Sequence, residues 1–94
     1  MLTWNVTYHC KAGQRQAFYD AITALGMRAL SVTEEGNLKY DYYFSAQDEN
    51  ELLLVESWTE KALQDKHCST DTFRRLQELK AQYCESVSID KFED

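Results

Sequence analysis

Apolar positions along the chain recur at two different intervals. From Leu2 to His9 they alternate in part, with Trp4, Val6 and Tyr8 on one side and Asn5 on the other; branched and aromatic residues dominate, and the spacing predicts a first strand. Lys11-Ala12-Gly13 punctuates it. From Gln14 the interval lengthens: Phe18, Ile22, Leu25 and Ala29 follow one another in steps of four, three and four, a helical stripe flanked by Ala17 and Ala21. Gly26 lies inside this run and costs about 1 kcal/mol relative to alanine, which predicts a kink or break there. Gly36 suits the left-handed turn that closes the helical segment.

Alternation returns at Leu38. Through Ser45, Leu38, Tyr40, Tyr42 and Phe44 share one face while Lys39, Asp41 and Tyr43 share the other. The polar stretch Ala46 to Glu51 then forms a hairpin loop. A third strand, Leu52 to Trp58, sets Leu52, Leu54, Glu56 and Trp58 against Leu53, Val55 and Ser57. Both of its faces are largely apolar, which requires both faces of the sheet to be covered.

Thr59 is the expected N-cap of a short helix reaching about His67, with Glu60 placed against the helix dipole. Leu63 and His67 are four apart and share a helix face. Ser69-Thr70-Asp71 restarts a helix in which Phe73, Leu76, Leu79 and Tyr83 form one stripe. Ser86 to Phe92, led by Val87 and Ile89, is the last strand. The order β-α-β-β-α-β, with the second helix in two pieces, predicts an α+β, ferredoxin-like fold: a four-stranded antiparallel sheet with helices on one face. A homodimer packed through its sheets would cover the other face.

Composition narrows the function classes. One domain spanning 1–94 is expected from 94 residues. At 44% hydrophobic and 13% aromatic, the chain has enough apolar material for an ordered core. The net charge of −6, without any lysine- or arginine-rich run, argues against nucleic acid as a partner. No signal peptide or membrane span is read, since the longest aliphatic run is Leu52 to Val55. Three cysteines without framework spacing fit a reducing compartment, so a cytoplasmic location is expected. No metal site is expected either. In His9-Cys10 and His67-Cys68, adjacent side chains diverge on a strand or helix and do not chelate naturally.

The segments MLTWNVTYHCKAG and EEGNLKYDYYFSAQDENELLLVESWTEKALQDKHCSTDTF resemble the antibiotic biosynthesis monooxygenase (ABM) family of dimeric α/β-barrel proteins over essentially the whole chain. The most specific part is Glu56-x-Trp58, then His67 nine residues after the tryptophan, then a small-residue turn and Phe73. The resemblance implies a cavity between sheet and helices in each subunit, and one of three chemistries. One branch oxygenates aromatic polyketides or quinols without metal or flavin, another degrades haem, and a third isomerises a phosphorylated autoinducer-2 derivative. Trp58 matches the tryptophan of the cofactor-independent branch, but Leu54 stands where that branch has asparagine and Gln64 where it has tyrosine. In the haem branch, tryptophan stands at the position of His67 and the axial histidine at that of Gln77; without that ligand a haem site is not supported. Thr72 and Asp71 replace the second histidine and the proline that many relatives carry before Phe73.

His67 is the leading acid–base candidate, because imidazole works in either direction near neutral pH. Glu56, on the face of Trp58, could orient that imidazole or take a proton itself, its pKa raised by desolvation. Trp58, Tyr40, Tyr42 and Leu54 are the candidate substrate contacts, with a tyrosine hydroxyl as donor. The plainer alternative has His67 capping a helix end, Glu56 pairing with a surface base and Trp58 acting only as wall. The expected activity is therefore a cofactor-independent monooxygenase acting on a small aromatic or quinol-type substrate. An isomerase, or a non-catalytic binding module for a small hydrophobic metabolite, is the alternative.

Overall fold

A computed structural model describes residues 1–94. Its elements are β1 (Leu2–Cys10), α1 (Arg15–Leu25), α2 (Met27–Ser31), β2 (Asn37–Phe44), β3 (Glu51–Trp58), α3 (Lys61–His67), α4 (Asp71–Tyr83) and β4 (Cys84–Glu93). The strands form one antiparallel sheet in the order β2-β3-β1-β4, as the ferredoxin-like reading requires. No helix is long and apolar enough to cross a membrane.

Register sets the chemistry of each face. Leu2, Trp4, Val6 and Tyr8 of β1 lie opposite Trp58, Glu56, Leu54 and Leu52 of β3, which in turn face Asn37, Tyr40, Tyr42 and Phe44 of β2. This row-by-row match puts the alternating apolar set of three strands on the helix side. There Phe18 and Ile22 of α1, Met27 of α2 and Leu76 of α4 close over it. Burying each such side chain contributes about 1.5–3 kcal/mol, so the interior is where most of the stability resides. Phe73, Leu79 and Tyr83 pack against the same core, as the α4 stripe predicts.

Several local expectations change. The first helical run does break at Gly26, whose φ of 81° is left-handed, but the short α2 that follows turns Met27 and Ser31 inward and leaves Ala29 exposed. The break rotates the helical phase, so the stripe does not continue through it. Leu38 does not share the inner face with Tyr40 and Tyr42. The register shifts between Asn37 and Lys39, Leu38 is the extra residue, and it is 56% exposed. The N-cap of α3 is Glu60 rather than Thr59 and makes no side-chain cap bond, whereas Thr70 caps α4 by accepting from the Phe73 N–H. The last strand is longer than its apolar pattern, because pairing with β1 carries it from Cys84 to Glu93.

The helix-free face is more mixed than β2 and β3 alone imply. Leu53 and Val55 are half-buried and Tyr43 and Phe92 are exposed, but Thr3, Asn5, Thr7 and Ser88 lie among them. Thr3 and Ser57 share a hydroxyl–hydroxyl bond of 2.9 Å across this face. At the far end, Arg15 from α1 donates to the carbonyls of Ser45, Asp48 and Glu51 and lies over the Phe44 ring, holding the β2–β3 loop.

Candidate functional site

Four elements converge on the imidazole of His67, the last residue of α3. Trp58 comes from the end of β3, Tyr40 from β2 and Phe73 from the first turn of α4. Their ring centroids lie 4.9, 5.5 and 5.5 Å from that of His67. The fourth wall is the turn between α2 and β2, which delivers Glu34: His67 Nδ1 and Glu34 Oε1 are 2.6 Å apart. Gly36 makes that approach possible. Its φ is 83°, and a Cβ there would collide with Leu63 Cδ1 and reach within 2.8 Å of Thr59 Oγ1. The turn is pinned by Thr59 N–H donating to the Gly36 carbonyl at 2.8 Å.

The two His67 nitrogens have opposite surroundings. An ionised carboxylate only accepts, so the 2.6 Å contact is a hydrogen bond when Nδ1 carries a proton. Nε2 is buried and has no hydrogen-bond partner. The Tyr42 hydroxyl and the Oε1 of Gln64, one turn before His67 on α3, are also buried and unpartnered. Most buried polar atoms in proteins are satisfied, so the unpartnered Nε2 stands out as a nitrogen free to take a further hydrogen bond.

Glu56 and Trp58 share a strand face, as their spacing predicts, and this lets the indole Nε1–H donate to Glu56 Oε1 at 2.8 Å. Glu56 therefore holds the tryptophan, and the residue that orients His67 is Glu34. Burial raises the Glu56 pKa; the Trp58 hydrogen bond and the His67 field only partly offset it. Burial likewise pushes the Tyr40 and Tyr42 hydroxyls well up, so both remain neutral donors at physiological pH. Trp58, Tyr40 and Leu54 are almost wholly buried, and they pack against one another instead of lining an open chamber. Solvent meets the constellation at a cleft of about 140 Å³ bounded by Glu34, Glu35, Leu63, Lys66, His67 and Thr70.

The structure thus brings together His67, Trp58, Tyr40 and Glu56, with Tyr42 one ring further along at 5.9 Å from Tyr40. Leu54 lies beside Tyr42 across the β2–β3 ladder. Glu34 is not legible as a site residue from its own stretch of sequence. Its signal is the acidic pair immediately before Gly36, which reads as a helix end until the turn is seen folded onto α3. The His-Cys dipeptides do not assemble. All three cysteines are free, and no group of three or more His, Cys, Asp and Glu side chains is placed to hold a metal ion. Cys10 and Cys84 are buried opposite each other on β1 and β4, and desolvation pushes the Cys84 thiol up to about 12, far from a nucleophile's range.

Comparison with known proteins supports the fold. The crystal structure of PA3566 from Pseudomonas aeruginosa is similar at 27% identity and a TM-score of 0.88, covering 99% of this chain and 92% of that one. A Nitrosomonas europaea structure, described as a candidate antibiotic biosynthesis monooxygenase, matches with a TM-score of 0.89 at 21% identity over 100% and 98% of the two chains. A structure described as an antibiotic biosynthesis monooxygenase matches with a TM-score of 0.84, also at 21% identity and over 100% and 98% of the chains. At 21% these two likenesses carry the fold alone. No curated protein sequence matches the chain. The family profile for antibiotic biosynthesis monooxygenase matches residues 1–79, which takes in every residue converging on His67, and the chain belongs to that family.

Proposed function

We propose that the protein is a cofactor-independent monooxygenase of the ABM type, acting on a small phenolic or quinol-type aromatic. The observation that carries this reading is the unpartnered Nε2 of His67, a basic nitrogen held inside a wall of aromatic rings. A substrate hydroxyl placed against it loses its proton to Nε2. The resulting anion is electron-rich enough to react with dioxygen. One oxygen atom enters the product, and the other leaves as water with the two hydrogens taken from the substrate. Trp58 and Tyr40 supply flat apolar contact, Leu54 fills the floor, and the neutral Tyr42 hydroxyl donates to the substrate oxyanion. Glu56 keeps the indole in place. Binding requires these packed rings to part, and the cleft beside Glu34 is the nearest approach from solvent.

The protein works in the cytoplasm as a single-domain protein, in a homodimer. A second copy seated on the helix-free face would cover Tyr43, Leu53, Val55 and Phe92, which a lone protomer leaves in partial contact with water. A second reading, an isomerase or a binding module for a hydrophobic metabolite, draws on Leu54 and Gln64, which leave the site without the polar groups of the oxygenase branch.

Oxygen consumption with a panel of hydroquinones and naphthols separates these readings. Turnover that falls in a His67→Ala, Glu56→Ala double variant supports the monooxygenase. An unchanged rate in that variant sinks it. Proton exchange on a dicarbonyl without oxygen uptake indicates the isomerase, and ligand binding without turnover the module.

A further inference from the structure

We infer that Glu34 is the positioning residue of this site: it forms a carboxylate–imidazole dyad with His67 and fixes Nε2 as the nitrogen that meets the substrate. The inference rests on the reading of His67 as a base, and it adds which nitrogen is basic and what makes it so.

The geometry has three independent parts. The Nδ1–Oε1 separation of 2.6 Å is that of a charge-assisted hydrogen bond. The opposite nitrogen is buried with no partner, so the dyad leaves one nitrogen satisfied and one available. The side chains are also unequal in exposure, His67 at 1% and Glu34 at 25%, which puts the carboxylate between the buried ring and the cleft. The carboxylate thus meets the dry ring on one side and the wetter cleft on the other. It stabilises the imidazolium formed when Nε2 takes a proton without taking that proton itself. In this step the substrate O–H bond breaks and an Nε2–H bond forms; Nδ1 keeps its proton, and Glu34 keeps its charge.

The alternative tautomer has no comparable support. With the proton on Nε2, that N–H would be buried without an acceptor, and two lone pairs would face each other across 2.6 Å at Nδ1. Other charged or titratable groups near the ring include Glu35 on the same turn, Lys66 on α3, Cys68 just after it, Tyr40 on β2, Glu56 on β3 and Lys80 of α4 over the Phe73 ring. Glu56 is committed to Trp58, leaving Glu34 as the carboxylate bonded to the imidazole.

Nitrogen-15 NMR tests this directly, because the chain holds only two histidines and a His9→Gln variant leaves His67 alone. In that protein, at a pH where the ring is neutral, Nδ1 is expected to show the shift of a protonated nitrogen and Nε2 that of a lone-pair nitrogen. Glu34→Gln should convert this to a mixture of tautomers and Glu34→Asp should restore it. With a hydroquinone substrate, Glu34→Gln should lower kcat at least tenfold with KM within about twofold, and Glu34→Asp should recover part of the loss. An Nε2–H tautomer in the parent, or a Glu34→Gln variant with unchanged tautomer and unchanged kcat, overturns the inference. If the parent protein turns over none of the substrates, the reading of His67 as a base fails while the NMR result still decides the dyad.

Discussion

The chain's two histidines make a controlled comparison, because each precedes a cysteine and each has a glutamate partner. His9 lies on the helix-free face of β1. Its Nδ1 is 3.3 Å from Glu51, its Nε2 is 3.0 Å from the Ser88 hydroxyl, and its side chain is 36% exposed. Nε2 has a hydrogen-bond partner, Nδ1 has a carboxylate beside it, and the side chain is open to water. His67 has the shorter carboxylate contact, three aromatic neighbours, and one nitrogen with nothing to bond. Residue type and local sequence do not separate the two; burial and an incomplete hydrogen-bond set do. An ion pair at the surface is worth 0–1 kcal/mol, whereas the same pair of groups in a dry enclosure can set which tautomer exists.

The largest expected effect splits the pair by function. His67→Ala should cut hydroquinone-dependent oxygen uptake by about two orders of magnitude or more, while His9→Ala stays within about twofold of the parent, both read in an oxygen electrode. Equal losses in the two variants would dissolve the distinction. Next in size is Gly36→Ala, which attacks the turn instead of the ring. A left-handed φ and a Cβ pressed onto Leu63 should cost about 1–3 kcal/mol in urea unfolding, and the loss of the Glu34 contact should appear in the His67 nitrogen shifts.

Glu56→Gln gives a smaller, pH-dependent effect. Because burial raises the Glu56 pKa, the folded state binds its proton more tightly than the unfolded state does. Glu56 therefore makes the parent lose stability as pH rises from the ordinary value of 4.5 up to the raised one, after which the loss is constant. The glutamine variant keeps an acceptor for the Trp58 N–H but has no charge to desolvate. Its stability relative to the parent should climb through that window, read as a growing difference in melting temperature between the two proteins. A flat difference between pH 4 and 8 would show that Glu56 is not desolvated. The smallest effect belongs to the stability of His9→Ala, expected within about 0.5 kcal/mol of the parent in the same urea experiment.

What the sequence reveals follows the range of the interactions involved. The strands, the Gly26 break and the Phe73-Leu76-Leu79-Tyr83 stripe depend on spacing within one element, and alternation or helical steps are enough to read them. Trp58, Tyr40 and His67 are legible for the same reason, each lying on the apolar side of its own element. Glu34 meets His67 across 33 positions, through a turn folded onto α3, and no local period encodes that meeting. The competing pairing of Glu56 with His67 follows from their shared side of the sheet, but the indole N–H two residues along is the nearer donor. Ala29 and Leu38 are misplaced by extrapolation: a helical phase does not survive a left-handed glycine, and a strand phase does not survive an inserted residue.

That inserted residue has a consequence for how the site tolerates change. Upstream of Leu38 the chain must arrive with Glu34 at the His67 ring; downstream it must arrive with Tyr40 opposite Glu56. These are two fixed docking points, and the length between them is one residue more than the ladder uses. Leu38 is slack, taken up by turning outward. The position should accept almost any side chain, yet removing it would force one docking point to be given up for the other.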